Sequence, residues 1–114
     1  MKIVEHGNEK VECYQDADLK DENFLETCKR ARLLWDQRAD EYVAEHGHKG
    51  TAVIGAGFTV WYVPHRGRKA QRKLILRSPR KYQGSLTWEA SKSEIAQFFR
   101  ENGIEVQYEW GAMD

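Results

Sequence analysis

Hydrophobic residues recur every three or four positions between residues 22 and 46, which is the spacing of one face of an α-helix. The stripe consists of Phe24, Cys28, Ala31, Trp35, Ala39 and Tyr42, with Leu25 and Val43 at its edges. The carboxylate of Asp18 or Asp21 can accept the free N–H groups of a first turn, and Gly47 can end the helix in a left-handed conformation. The pattern therefore predicts a helix over residues 22–46, about 37 Å long.

Alternating apolar and polar residues, and runs of β-branched and aromatic residues, predict strands elsewhere in the chain. The predicted strands are residues 2–5 and 10–14, joined as a hairpin, and residues 51–63, 72–77, 85–89 and 104–110. Three of these, residues 51–63, 72–77 and 85–89, follow one another closely enough to form an antiparallel meander. Within residues 72–77, simple alternation places Leu74 and Leu76 on one face.

A second helix is predicted between residues 91 and 103. Ser91 and Glu94 have the spacing of a capping box, and Gly103 can end the helix. The predicted order is therefore β-β-α-β-β-β-α-β. This order favours the α+β class, with an antiparallel sheet that has one long and one short helix on one face. At 114 residues, the length predicts a single domain over residues 1–114.

The charges are segregated along the chain although the formal net charge is zero. Residues 1–45 carry seven basic and twelve acidic side chains, and residues 89–114 carry two and six. Residues 46–88 contain nine Lys and Arg and neither Asp nor Glu. Clustered charges of one sign create a local field that attracts polyanions, so the middle window is where a partner of opposite charge would bind.

The basic residues of this window are expected on the meander and its loops, with Tyr82 among them to stack on a base. The candidate nucleic-acid or anion-binding residues are Arg66, Arg68, Lys69, Arg72, Lys73, Arg77, Arg80, Lys81 and Tyr82. Five of the nine basic residues are Arg, whose planar fork of donors matches phosphate oxygens. The sequence thus favours a small binding module that contacts the phosphates of DNA or RNA, without evidence for base selection.

Three alternatives remain open, and the first two use the same basic residues differently. The basic groups can pair with the acidic groups of the same chain, as surface ion pairs of little energetic value. They can instead pair between two copies, in a homodimer formed through the long helix and the sheet. A third alternative is an apolar-ligand pocket beside the small residues Gly55 and Gly57, lined by Trp61.

The sequence lacks the signals of a dinucleotide-binding loop and of a cysteine-based metal site. Residues 53–58 resemble the start of a dinucleotide-binding loop, but Val60 replaces its third glycine and a β pattern follows. Cys13 and Cys28 form no CxxC pair and are expected to be small buried residues. We therefore predict no cofactor and no metal, and no catalytic residue is identified. A non-enzymatic module is favoured, and an enzyme whose pocket leaves no signal in the sequence is the alternative. The polar amino terminus and the absence of a long apolar run predict a cytoplasmic protein without a membrane span.

Overall fold

The computed structural model of the protein describes residues 1–47, 56–79, 81–82 and 85–110. The elements are β1 (Lys2–His6), β2 (Glu9–Cys13), α1 (Asp16–Leu19), α2 (Glu22–His46), β3 (Ala56–Tyr62), β4 (Gln71–Arg77), α3 (Ser85–Glu89), α4 (Lys92–Glu101) and β5 (Gln107–Trp110). They form one two-stranded and one three-stranded sheet, both antiparallel. The predicted α+β class with antiparallel sheets and a long helix is confirmed.

The long helix α2 has the predicted bounds because both of its ends carry strong local signals. The Asp21 carboxylate accepts a hydrogen bond from the Phe24 N–H at 3.1 Å, and Gly47 adopts φ 78° after the last turn. The apolar stripe is buried at Phe24, Ala31, Trp35 and Ala39, as predicted. Leu25, predicted at the edge of the stripe, is instead 52% exposed.

The amino-terminal hairpin of β1 and β2 is confirmed and forms its own sheet. Its two-residue turn places Gly7 at φ 64°, as the first central residue of a type II′ turn requires. The chain then runs beside the end of β3. There, the Tyr14 N–H donates to the Trp61 carbonyl at 2.8 Å, and the Val63 N–H donates to the Tyr14 carbonyl at 2.9 Å.

The three-stranded sheet has the order β4-β3-β5, so its third strand is the carboxy-terminal one. The predicted meander is wrong at residues 85–89, which form the helix α3 instead of a strand. Five residues are too few for hydrophobic alternation to distinguish a strand from a helical turn. Part of the predicted strand 51–63, including Gly55, lies outside the described residues.

Tertiary contacts around Trp88 favour the helical conformation of α3. Trp88 is 2% exposed, and its indole N–H donates to the Tyr82 carbonyl at 3.0 Å. The Trp88 carbonyl accepts a hydrogen bond from the indole of Trp35, also at 3.0 Å. Leu86, which the strand prediction placed inward, is 60% exposed.

The predicted second helix is confirmed as α4, but its capping box is wrong. Ser91 is the N-cap residue with ψ 10°, which is not extended, and its side chain makes no capping hydrogen bond. Glu94 pairs with Arg38 of α2 at 2.9 Å instead of reaching back to the cap. The chain passes directly from α3 into α4 at this point, so Ser91 cannot adopt the usual N-cap geometry. Of the predicted strand 104–110, only Gln107–Trp110 is a strand.

The helices α2, α3 and α4 share the main hydrophobic core with one face of the three-stranded sheet. The core side chains of this face are Phe58 and Val60 from β3 and Leu76 from β4. A register shift beside Phe58 leaves Ile75 as an extra residue in β4. Leu74 therefore pairs with Thr59 and points to the opposite face from Leu76, which corrects the simple alternation predicted for this strand.

Candidate functional site

The loop between β3 and β4 covers residues 63–70 and has buried anchors at both ends. Val63 is fully buried and Ala70 is 3% exposed, and both pack with residues of the β1–β2 hairpin. Inside the loop, the Gly67 N–H donates to the Pro64 carbonyl at 2.8 Å, and Arg66 adopts the left-handed φ 67°. The buried anchors and the internal hydrogen bond hold the loop close to one conformation.

This loop presents a group of exposed cations, which we call the loop cations. They are Arg66, Arg68 and Lys69. None of the ion pairs found among the described residues involves them. Three adjacent positive charges that form no ion pair among the described residues create a local field that attracts anions.

Arg72 lies beside the loop on the sheet face opposite the helices. Its Nε donates to Thr59 Oγ1 at 2.9 Å, and its Nη2 donates to the Thr59 carbonyl at 2.6 Å. The guanidinium carbon also lies 4.9 Å from the centre of the Trp61 ring. Burial lowers the pKa of Arg72, and the charge of Glu109 opposes that effect. Arg72 is therefore a fixed, half-buried cation stacked on an aromatic ring.

The other two basic residues of β4 lie on different faces of the sheet. Lys73 pairs with Val60 and is exposed, and its Nζ lies 4.8 Å from the centre of the Tyr62 ring. Because of the register shift, Arg77 pairs with Gly57 and shares the face of Arg72, where it is half-buried. The basic residues of β4 are thus divided between two faces, as alternation predicts, but Arg77 shares the face of Arg72 instead of the face of Lys73.

At the far end of β4, the candidate residues contact carboxylates of α2. Lys81 Nζ lies 2.7 Å from Asp40 and 3.8 Å from Asp36. The Tyr82 hydroxyl donates to the same Asp40 carboxylate. The hydrogen bonds from Lys81 and Tyr82 lower the pKa of Asp40, while the bond to Asp40 raises the pKa of Lys81. This end is therefore locally compensated, as the ion-pair alternative predicts. Arg80 lies outside the described residues.

The predicted apolar pocket is only partly within the described residues. Gly57 is buried in β3, and Gly55 is outside the described range. The ring of Trp61 is half-buried between Arg72 and His6, whose ring centre lies 4.7 Å away. The pocket at these residues stays a prediction.

A cleft that the sequence did not indicate lies elsewhere, between the start of α2 and the turn after α4. It has a volume of about 340 Å³, and Tyr14, Phe24 and Ile104 are among its lining residues. Those residues are up to 90 positions apart, and no local pattern indicates that they meet. The helix ends at Asp21 and Gly103 were visible in the sequence, but their meeting in one cleft was not.

The cysteines, the helices and the comparisons with known proteins do not assign a function to the described residues. Cys13 and Cys28 are both free thiols. Among the described ranges, no helix is both long and apolar enough to cross a bilayer. Comparisons of the chain with protein-family models, with curated proteins and with solved structures found no match. The function must therefore be argued from the chemistry of the surfaces themselves.

Proposed function

We propose that this protein is a binding module whose β3–β4 loop contacts the phosphate backbone of a nucleic acid. The observation that carries the proposal is the group of loop cations, which are exposed and take part in no ion pair among the described residues. Phosphate contacts by Lys and Arg release counterions from nucleic acid and supply affinity without base selection.

Two residues of β4 next to the loop add positive charge, one on each face of the strand. Lys73 is exposed, lies three residues after the end of the loop at Ala70, and adds a fourth positive charge. Arg72 lies on the Trp61 ring, and a nucleic-acid base can stack on a guanidinium or an aromatic ring of this kind. In this proposal, Lys81 and Tyr82 play a smaller part because Asp40 already contacts both of them.

The test is fluorescence anisotropy with a labelled 20-nucleotide single strand, and with the matching duplex, over a range of salt concentrations. The wild-type protein is expected to bind both at about 50 mM salt and to lose affinity steeply as salt rises. The triple variant Arg66→Ala, Arg68→Ala, Lys69→Ala removes three phosphate contacts. Its slope of log K against log salt should be shallower than that of the wild type by about 2–3.

The matched control is Lys20→Ala, Lys29→Ala, Arg32→Ala, which removes three exposed positive charges around the amino-terminal half of α2. Both triple variants lower the net charge by three, so a general effect of charge on binding is the same in each. A difference in affinity between the two variants therefore indicates a binding site on the loop. The proposal requires the loop variant to bind at least about tenfold more weakly than this control. Equal losses in the two variants, or no wild-type binding at about 50 mM salt, would contradict it.

The homodimer through the long helix and the sheet is a separate proposal that the same samples test. Light scattering across a concentration series would detect a rise in mass if two copies associate. The nucleic-acid proposal does not require that rise, and a dimer would not need nucleic acid to form.

A further inference from the structure

The cleft beside α2 has the size and composition of a ligand site. Its volume of about 340 Å³ falls at the lower end of the range for small-molecule pockets. Its wall combines aromatic rings, small and aliphatic residues, polar side chains and carboxylates. The lining residues include Tyr14, Asp18, Asp21, Phe24 and Asn102.

Tyr14 supplies a polar group without a partner in this cleft. The residue is only 9% exposed, and its ring packs on Phe24 with 5.4 Å between ring centres. No residue in the described part of the chain hydrogen-bonds its hydroxyl group, whereas the hydroxyls of Tyr62 and Tyr82 each donate to a carboxylate. The hydroxyl oxygen is not among the buried side-chain atoms that lack a partner in the described part of the chain, so it is open to the cleft and can accept a hydrogen bond from a molecule bound there.

The charged residues that line the cleft indicate which class of ligand it can bind. Asp18 and Asp21 line it, and no Lys, Arg or His is among the described lining residues. The Asp18 carboxylate already accepts the Gln15 N–H at 2.8 Å and the Met1 ammonium at 3.3 Å. Asp21 uses one oxygen for the cap at Phe24, so its other oxygen remains to accept a further donor.

The protonation of Tyr14 agrees with a ligand that donates hydrogen bonds. Burial raises the pKa of Tyr14, and the nearby charge of Asp18 raises it further. The hydroxyl is therefore neutral at physiological pH and offers its lone pairs to a donor. A cation can also lie against the faces of the Tyr14 and Phe24 rings, which attract positive charge.

We propose that this cleft binds a small organic amine. Its ammonium group donates to Asp21 and to the Tyr14 hydroxyl, and its apolar body packs on the rings of Tyr14 and Phe24. The inference does not depend on the nucleic-acid proposal, because the cleft shares no residue with the loop cations.

The first test compares three probes of similar shape on the wild-type protein: phenethylamine, 2-phenylethanol and phenylacetate. Binding is followed by ¹H–¹⁵N correlation spectra of the amides of Tyr14, Phe24, Asn102 and Gly103. The amine should shift these amides in a saturable way below about 10 mM. The neutral alcohol should bind at least about tenfold more weakly, and the anion should give no shift. An alcohol that binds as tightly as the amine, or no saturable shift with the amine, overturns the proposal.

The second test uses variants that keep the local structure. Asp21→Ser removes the charge but retains an oxygen that can cap α2, and should weaken amine binding about tenfold. Tyr14→Phe removes only the hydroxyl and should weaken it about fivefold. The control Glu45→Gln removes an exposed carboxylate about 36 Å away along α2 and should change nothing. Wild-type affinity in both cleft variants overturns the proposal. The probe series decides the matter if a variant fails to fold.

Discussion

At the scale of single residues, the fold depends most visibly on Trp35. This side chain is fully buried and lies in edge-to-face contact with Phe58, Trp88 and Tyr108, at ring-centre distances of 5.0–6.4 Å. Its indole N–H donates to the Trp88 carbonyl at 3.0 Å. One side chain of α2 thus contacts α3 and two strands of the sheet.

We expect Trp35→Phe to lower the free energy of unfolding by about 2–4 kcal/mol, because it removes a buried hydrogen bond and leaves unfilled volume. Urea unfolding followed by circular dichroism measures this loss. The control Leu33→Ala alters a neighbouring side chain that is 62% exposed and should change stability by less than about 0.5 kcal/mol. Similar losses in the two variants would show that Trp35 does not have this central role.

Single residues also decide the shape of the candidate interface. The extra residue Ile75 moves Arg77 from the face of Lys73 to the face of Arg72. Strict alternation along residues 72–77 predicts a different grouping, in which Arg77 shares a face with Lys73. A bulge depends on how two strands pair and has no signal in the sequence of one strand alone.

At the scale of elements, the ends of helices are set by local chemistry where that chemistry is unambiguous. The helix α4 ends in a turn where the Ile104 N–H donates to the Phe99 carbonyl at 2.9 Å. Gly103 adopts φ 79° in this turn, and a Cβ built at this glycine would have no atom within 4 Å. Any cost of a side chain at this position therefore comes from backbone conformation and not from a clash.

We expect Gly103→Ala to destabilise the protein by about 1–2 kcal/mol, because an L-residue resists the left-handed conformation. Gly103→Asn should cost less, since Asn tolerates this conformation better than Ala. Thermal and urea unfolding of the two variants measure the difference. A Gly103→Ala variant as stable as the wild type would mean that the turn rearranges.

At the scale of the whole molecule, the buried hydrophobic residues of the described ranges form two separate clusters. The main cluster joins α2, α3 and α4 to the three-stranded sheet. The smaller one is centred on Val4, Cys13, Val63 and Ala70, between the β1–β2 hairpin and the β3–β4 loop. Fewer buried side chains hold the hairpin than hold the main core, so the hairpin should open first.

We expect native-state hydrogen exchange to detect this difference. The hydrogen-bonded amides of β1 and β2 should exchange through a local opening with a lower free energy than those of β3 and central α2. Val4→Ala should lower the protection of the hairpin amides further and leave the protection of β3 largely unchanged. If both sheets exchange at the free energy of global unfolding, the molecule is a single cooperative unit.

Which basic residues lie against carboxylates can also be decided only at the scale of the whole molecule. The sequence segregates basic and acidic residues, yet α2 brings Asp36 and Asp40 against Lys81, at one end of the basic window. The loop cations lie at the other end of β4, next to the β1–β2 hairpin. The three-dimensional arrangement thus narrows the candidate phosphate contacts from the whole window to its loop and the neighbouring strand.

Local patterns in the sequence were enough to predict the α+β class, the bounds of α2, the amino-terminal hairpin and the existence of α4. These features depend on periodicity, caps and turns within a few residues, which are properties of the local chain. The positive character of the β3–β4 loop was likewise visible in the sequence.

Only the tertiary structure decided that residues 85–89 form a helix, that β5 completes the sheet and that Asp40 compensates Lys81. The cleft at Tyr14 belongs to the same class, because its walls come from segments distant in the sequence. Each of these outcomes depends on packing or charge pairing between residues far apart along the chain. Such interactions can outweigh a weak local preference, and no short window of sequence contains both partners.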